Sequence, residues 1–327
     1  MKLSVNEIKS IAIFRALQLG DMLCIIPAVR ALRNAYPQAS ITLLGLPWGK
    51  SFTERFNHYF DDFIHFPGYP GLPEQPFDAR DFPPFLQEVQ SRNFDLAIQM
   101  QGNGSVINPM IELFGAKHTA GYTIEGHYAP NNDLFMTYPD FGHEIERHIQ
   151  LMEFLGIEPQ GKELEFPLTE NDEQALENLN LNIEPGDYVC VHPGSRGAWR
   201  QWPVQYFAAL ADHCAEQGYK VVITGTKEEA PIIDDVISHM RHECINTAGQ
   251  TSMGAVGVLI RDAALLISNC TGVSHMSAAF KTPSIVISMD GEPHRWGPLD
   301  TRIHRTMDWL QSPDFHAVFR ETVEMVV

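Results

Sequence analysis

The sequence predicts an α/β protein made of two doubly wound halves, each a parallel sheet flanked by helices. The chain has 327 residues, which suits two domains of about 150 residues each. Short β-branched apolar runs alternate with longer helical stretches, a pattern typical of βαβ units. The alternation occurs twice, once on each side of a polar segment punctuated by proline and glycine, Glu158–Gly186.

Strand-type runs and helical stretches alternate through the first half of the chain. The strands are expected at Ile11–Arg15, Ile41–Leu44, Phe63–Phe66 and Leu96–Met100. The helices are expected at about Met22–Ala35, Phe52–Tyr59, Phe85–Ser91 and Val106–Phe114. The proline-rich segment Pro67–Pro84 interrupts this order, and we expect it to be a loop without a regular element.

The second half repeats the alternation. The strands are expected at Tyr188–His192, Lys220–Thr224, Ala264–Ser268 and Ser284–Ser288. The helices are expected at about Val204–Gln217, Glu229–Met240, Met253–Ile260 and Val273–Phe280. Pro203 stands where a helix tolerates proline, and Gly218 closes the same helix.

The domain boundary is predicted from the elements around the polar segment. His143–Ile157 is predicted to be a helix, and one short helix is expected within the segment near Asn171–Leu179. We therefore expect a first domain over residues 1–165 and a second over residues 166–312. The last residues, 313–327, are expected to form a terminal helix.

Composition and charge exclude several classes of protein. The formal net charge is −18, with 41 acidic against 23 basic residues, which argues against nucleic acid as a partner and against broad adhesion to anionic membranes. No apolar run reaches the roughly 18 residues of a membrane span, and the N-terminus has no cleavage signal. The five cysteines are scattered, and no two of them form a Cys-x-x-Cys pair. We therefore expect the protein to be located in the reducing cytoplasm and to have no metal site built from cysteines.

The segment ALLISNCTGVSHMSAAF (Ala264–Phe280) is the most informative of the chain. A strand, a small polar turn and a helix start follow one another, which exposes backbone N–H groups to an anion at the positive end of the helix dipole. Gly272 permits close approach of a ligand to the backbone, and Thr271 and Ser274 add hydroxyl groups. The pattern predicts a phosphate site.

Asp21 follows Gly20 at the end of the first predicted strand. It could cap the next helix, which is worth about 1 kcal/mol. It could equally be a functional carboxylate at the carboxyl edge of the sheet, where open α/β sheets bind ligands. Spacing alone leaves both interpretations open.

Two further segments carry candidate ligand groups. The loop VHPGSRGAWRQWP (Val191–Pro203) holds Arg196 and Arg200, and two guanidinium groups suit a diphosphate. The alternative is a solvated loop with tryptophans packed at its base. After the strand that ends at Thr224, Glu228 or Glu229 could accept from ribose hydroxyls, although acids are also favoured at any helix N-terminus. No Gly-x-Gly-x-x-Gly and no Gly-x-Ser-x-Gly occurs, which disfavours a nicotinamide dehydrogenase and an α/β-hydrolase.

Taken together, these segments resemble glycosyltransferase family 9, the heptosyltransferase family. The resemblance rests on LGDMLCIIPAVRALRNAYP, HEIERHIQLMEFLGI, HPGSRGAWRQWP, INTAGQTSMGAVGVLIRDAALLISNCTGVSHMSAAF and HRWGP in that order. It implies the GT-B fold, two Rossmann-like domains facing a central cleft, with the acceptor in the first domain and the donor in the second. It also implies that the terminal helix packs back onto the first domain.

The resemblance implies a role for each candidate residue. Asp21 matches the catalytic carboxylate. The residues matched to donor binding are Ser195, Arg196, Arg200, Glu228, Glu229, Thr271, Gly272, Val273, Ser274 and His275. The chain departs from the pattern once, because the familiar heptosyltransferases carry Asp where Cys270 stands. The identity of the donor sugar depends on that position.

The function implied is an inverting, metal-independent transfer of heptose or a related sugar from a nucleotide-diphosphate donor, ADP-linked. No other cofactor is expected. The acceptor would be a glycan or glycolipid such as the lipopolysaccharide core, reached in the cytoplasm with at most peripheral contact at the inner face of the membrane. The alternatives are a nucleotide-sugar epimerase of the same fold and an inactive homologue that binds nucleotide sugars.

Overall fold

The structure is a computed structural model that describes residues 2–326. The chain divides into two compact units, Met1–Lys162 and Glu163–Val327. The division falls inside the polar segment that the sequence marks as the boundary. Each unit is a parallel sheet with helices on its faces, so the predicted fold class of two doubly wound halves is confirmed.

The first unit holds six strands and five helices among its described residues. The strands are β1 (Ser10–Phe14), β2 (Ser40–Gly45), β3 (Asp62–His65), β4 (Leu96–Gln99), β5 (His118–Thr123) and β6 (Phe135–Thr137). The helices are α1 (Leu19–Ala35), α2 (Gly49–Arg55), α3 (Phe82–Ser91), α4 (Ile107–Glu112) and α5 (Glu144–Phe154). The strand order is β3-β2-β1-β4-β5-β6.

The second unit repeats this topology. Its strands are β7 (Tyr188–His192), β8 (Lys220–Ile223), β9 (Ile245–Asn246), β10 (Leu265–Asn269), β11 (Ser284–Ser288) and β12 (His304–Asp308). Its helices are α6 (Glu170–Glu177), α7 (Val204–Glu216), α8 (Ala230–His239), α9 (Met253–Asp262), α10 (Gly272–Phe280), α11 (Pro293–Trp296) and α12 (Phe315–Met325). The strand order, β12-β11-β10-β7-β8-β9, is that of the first sheet read from the other edge.

Each sheet reverses its winding direction at one pair of strands. In the first unit β1 pairs with β4, and in the second β7 pairs with β10, all in parallel. The connections on either side of such a pair leave in opposite directions, so a crevice opens beyond the carboxyl ends of the two strands. The topology therefore marks one candidate ligand position in each unit.

Four strands were not predicted, and most of them lie at sheet edges. β6 and β12 are edge strands, and β9 has only two residues at the opposite edge of its sheet. An edge strand is buried less completely, so its sequence lacks the apolar run by which β7, β10 and β11 are recognised. The interior strand β5 has the sequence HTAGYT, which mixes polar and small residues.

The proline-rich loop is shorter than predicted. The expectation that Pro67–Pro84 holds no regular element is wrong at its end, because α3 begins at Phe82. Two prolines occupy the first turn of this helix, where backbone N–H groups have no intrahelical acceptor in any case. Residues 67–81 form no helix or strand.

The C-terminal helix α12 packs on α7 and β11 of the second unit. Val318 and Val326 belong to the buried core of that unit, together with Trp202 and Phe207. The predicted packing of this helix onto the first domain stays a prediction. Among the described residues, no helix combines the length and the hydropathy that crossing a bilayer requires.

Trp202 is the aromatic centre of the core beneath α7. Its side chain is buried, and its ring lies 5.1 Å from Phe207 and 5.3 Å from Trp309 between ring centroids. We expect Trp202→Ala to lower the free energy of unfolding by about 3–5 kcal/mol, because it removes buried area and leaves a cavity.

The matched control is Trp199→Ala, three residues earlier, where the indole is 69% exposed. Its effect should stay within about 0.5 kcal/mol. Urea unfolding followed by far-UV circular dichroism measures both variants. Equal losses in the two variants would contradict the packing described.

Candidate functional site

In the second unit, the pairing of β7 with β10 brings two predicted segments together at one edge of the sheet. The amide of Asn269, the last residue of β10, connects them. Its Nδ2 donates to the carbonyl of Pro193 at 2.7 Å, and its Oδ1 accepts from the backbone N–H of Trp202 at 3.0 Å. Asn269 is only 1% exposed, so this amide fixes the loop after β7 against the turn after β10.

The turn after β10 leads directly into α10. Thr271 is the N-cap residue, and its side chain makes no capping hydrogen bond. By contrast, α9 in the same unit is capped by Ser252, whose hydroxyl accepts from Ala255 N–H at 3.1 Å. Within residues 2–326, the Thr271 side chain therefore gives the first N–H groups of α10 no acceptor. Thr271 and Gly272 are half-exposed, and an uncapped helix start of this kind is the arrangement that binds anions.

The five residues predicted at this turn divide into two groups. Thr271 and Gly272 are half-buried and border solvent, whereas Val273, Ser274 and His275 are buried. The Ser274 hydroxyl donates to the carbonyl of Thr271 at 2.7 Å, so it stabilises the turn from within. The groups of the turn that border solvent are therefore its backbone and Thr271, and donor contacts of Val273, Ser274 and His275 stay predictions.

The loop after β7 contributes a buried hydroxyl with an unused hydrogen bond. Ser195 is 7% exposed, and its Oγ has no partner within the part of the chain that the structure describes. Its carbonyl accepts from Gln201 Nε2 at 3.1 Å, which holds the residue in place. A buried hydroxyl without a partner costs free energy unless a ligand or water satisfies it. Arg196, the next residue, is exposed.

Arg200 lies in a 3₁₀ turn, Ala198–Arg200, and reaches the turn after β10. Its Nη2 lies 3.3 Å from the carbonyl of Cys270 and 2.5 Å from Oδ2 of Asp290. Asp290 follows β11, and sequence reasoning missed it because no motif in the chain marks it. Its position next to the predicted Arg200 emerges only when β11 pairs with β10.

Cys270 is buried beside this ion pair. Burial raises the pKa of its thiol to about 12, the negative charge of Asp290 raises that pKa as well, and Arg200 opposes both effects. The thiol is therefore neutral, and no negative charge stands at this position of the turn.

Glu228 and Glu229 differ in environment. Glu228 is exposed, whereas Glu229 is largely buried and accepts from the backbone N–H of Thr226 at 2.8 Å. A Cβ added to Gly194 would lie 2.2 Å from the carboxylate of Glu229, so that carboxylate lies directly against the loop after β7. His192 Nε2 lies 3.9 Å from it, and burial lowers the pKa of this histidine.

In the first unit, Asp21 lies in the first turn of α1. The N-cap residue is Gln18, so Asp21 is not the cap of this helix. Its carboxylate lies 3.8 Å from Nη2 of the buried Arg15, and the Arg15 Nε donates to its backbone carbonyl at 3.0 Å. The Asp21 side chain is 28% exposed, which leaves it accessible to a ligand.

Arg15 is the centre of a buried polar network behind Asp21. The guanidinium donates to the carbonyl of Met100, and its Nη2 lies 3.3 Å from Oε1 of Glu144. Glu144 in turn lies 3.3 Å from Nη1 of Arg147 and 3.3 Å from Nε2 of His148. The sequence predicts α5 but gives Glu144 no role, because its contact with Arg15 joins residues that are 129 positions apart in the chain.

No group of three or more His, Cys, Asp or Glu side chains within residues 2–326 is arranged to hold a metal ion. In the described part of the chain, the groups available to bind a ligand or to act on it are carboxylates, guanidinium groups and the N–H groups at the start of α10.

The sequence model of glycosyltransferase family 9 (heptosyltransferase) matches residues 84–322 of this chain. The chain belongs to glycosyltransferase family 9. The predicted enzyme class, a glycosyltransferase, and the predicted family are thereby confirmed. The chain is 25% identical over 300 residues to the lipooligosaccharide heptosyltransferase 2 of Haemophilus influenzae, which covers 86% of this chain and 84% of that relative.

Solved structures of family 9 proteins share the fold. A glycosyl transferase family 9 protein from Veillonella parvula superposes with a TM-score of 0.82 at 19% identity, covering 100% of this chain and 98% of its own. The ADP-heptose lipopolysaccharide heptosyltransferase II of Escherichia coli gives a TM-score of 0.75 at 20% identity, with 97% and 98% coverage. These matches confirm the GT-B fold for this chain.

The buried network predicts a pH dependence of stability. Burial lowers the pKa of His148 to about 4, below its usual value of 6.5, so the unfolded chain binds a proton that the native chain does not. The stability contribution of neutral His148 is complete above about pH 6.5 and is lost between there and pH 4. The slope from this one group approaches about 1.4 kcal/mol per pH unit.

We expect His148→Gln to flatten the acid limb of a stability-against-pH curve measured by urea unfolding between pH 4 and 7. The control is His127→Gln, an exposed histidine of the same unit, which should retain the wild-type slope. An unchanged slope in His148→Gln would show that the pKa of His148 is the same in the native and unfolded chains, which contradicts the lowered pKa.

Proposed function

We propose that this enzyme transfers a heptose or related sugar, with inversion, from an ADP-linked donor to a glycan or glycolipid acceptor. The observation that carries the proposal is the uncapped turn at the β7–β10 switch point, in a chain that belongs to family 9. Relatives and neighbours whose names specify heptosyl transfer support the choice of sugar.

The donor would bind to the second unit through its diphosphate. The N–H groups at the start of α10, the Thr271 hydroxyl and the Ser195 hydroxyl supply hydrogen bonds, and Arg200 supplies positive charge. Glu229, held against Gly194, is the better placed of the two acids for the ribose, because its orientation is already fixed. Arg196 and Glu228 are exposed and would act only on a bound ligand.

Catalysis would be a direct displacement. Asp21 accepts the proton of an acceptor hydroxyl while that oxygen attacks the anomeric carbon, and the bond from this carbon to the diphosphate oxygen breaks. The electron pair leaves with the nucleoside diphosphate, and Arg200 and the α10 N–H groups stabilise the growing negative charge. Inversion follows because attack and departure occur on opposite faces of the sugar.

Arg15 would keep Asp21 ready for this role. The guanidinium is held by the Met100 carbonyl and by Glu144, and it lies against both the backbone and the side chain of Asp21. These contacts hold in place the carboxylate that would act as the general base. The acceptor would thus bind to the first unit. The reaction would take place in the cytoplasm, with at most peripheral contact between the enzyme and the inner face of the membrane.

The test of the proposed function is transfer itself. The purified chain is incubated with ADP-heptose and heptose-deficient lipopolysaccharide core, and the release of ADP and the mass of the glycan are followed. Glycan extension confirms the proposal. Conversion of the nucleotide sugar without acceptor would indicate an epimerase, and saturable ADP-heptose binding without either reaction would indicate an inactive binding protein.

Asp21→Asn tests the base directly. We expect the turnover number to fall by at least about 100-fold, the lower range for loss of general base catalysis, while the Kd for ADP-heptose stays near that of the wild type. Asp140→Asn, an exposed acid of the same unit, is the control and should retain wild-type turnover. Near-normal turnover in Asp21→Asn would exclude Asp21 as the base.

A further inference from the structure

Asp290 is fixed at both of its carboxylate oxygens. Oδ1 accepts from the Ser288 hydroxyl at 2.8 Å and from the backbone N–H of Glu292 at 3.2 Å. Oδ2 lies 2.5 Å from Nη2 of Arg200. The Asp290 side chain is 9% exposed, and the Arg200 side chain is 30% exposed. The end of β11 therefore determines where this guanidinium lies.

The contacts of Arg200 use one edge of its guanidinium. Within the described residues, its hydrogen bonds to Asp290 and to the Cys270 carbonyl both involve Nη2. A guanidinium carries five N–H donors in a planar fork, so Nη1 and Nε keep donors for a second anion. Anchoring one edge reduces the rotamer freedom that ligand binding would otherwise have to remove.

Cys270 completes a small niche with this pair. Its backbone N–H donates to the Ile287 carbonyl at 2.8 Å, so β10 and β11 run side by side up to this point. The Cys270 side chain is 4% exposed. An acidic side chain at position 270 would be buried beside Asp290, with Arg200 as the shared cation. Two buried carboxylates beside the same guanidinium cannot both ionise without a large electrostatic cost.

We propose that Asp290 is the positioning residue for Arg200, and that the Cys270–Asp290–Arg200 niche accommodates a single carboxylate, supplied here by β11. The proposal rests on the proposed function in one respect, namely that the anion bound by Arg200 is the diphosphate of the donor. Cys270 then keeps the niche at one negative charge, because its thiol is neutral.

The niche predicts how donor affinity changes in Asp290→Asn, in Cys270→Asp and in the variant that combines them. Asp290→Asn removes the ion pair and leaves Arg200 less restricted, so the Kd and KM for ADP-heptose should rise about 10-fold, as expected for a charge-assisted hydrogen bond, while kcat changes less. Cys270→Asp adds a second acid and should weaken binding to a similar extent. The double variant again has one carboxylate, so its Kd should return towards that of the wild type.

The experiment measures four proteins, namely wild type, Asp290→Asn, Cys270→Asp and the double variant. Calorimetry with ADP and with inorganic pyrophosphate gives the affinities, steady-state assays give kcat and KM, and thermal unfolding gives Tm. The control cycle combines Asp290→Asn with Cys244→Asp, an acid introduced at a half-buried cysteine of the same unit. We expect strong coupling in the first cycle and additivity in the second.

The outcomes separate this proposal from the proposed function. Additive effects on Tm and pyrophosphate affinity, or wild-type affinity in Asp290→Asn, would overturn the niche. Failure of the wild type to bind ADP or transfer heptose would overturn the proposed function, while the Tm cycle would still test the niche without any ligand. If Cys270→Asp alone does not fold, folding of the double variant supports the single-carboxylate niche, and its failure to fold overturns it.

Discussion

The pairing of β7 with β10 is the constraint on which the rest of the second unit's site depends. It places the ends of two buried strands side by side, and Asn269 then joins their loops through hydrogen bonds to Pro193 and Trp202. The amide is buried, so each of these bonds must form for the turn to be stable. The open N-terminus of α10 and the buried Ser195 hydroxyl are held where a ligand can satisfy them.

Both units place an arginine behind a candidate reactive position. Arg15 in the first unit is almost fully buried and is balanced by Glu144 and Asp21. Arg200 in the second is partly exposed and is balanced by Asp290. This difference in exposure indicates different roles for the two arginines. The buried guanidinium of Arg15 can only orient its neighbours, whereas the partly exposed guanidinium of Arg200 can also contact a ligand.

The sequence indicated which segments carry the site but not how their side chains are held. Asp21, Arg200 and the Thr271–Gly272 turn lie at strand ends or helix starts, where local spacing is informative. Asn269, Asp290 and Glu144 were missed because the contacts that connect them to the candidate site, with Trp202, Arg200 and Arg15, span 67 or more residues of the chain. The structure also places Ser274 within its own turn, where local spacing had predicted a hydroxyl for the ligand.

By itself, the sequence determined the α/β class, the division into two halves, most of the strands and the family. These follow from local periodicity and from the order of motifs, both of which are properties of neighbouring residues. Only the tertiary structure decided the strand order, the strands β5, β6, β9 and β12, and the packing of α12 on its own unit. It also decided that the negative charge beside Cys270 comes from Asp290, because parallel pairing of β10 with β11 joins positions that no local pattern connects.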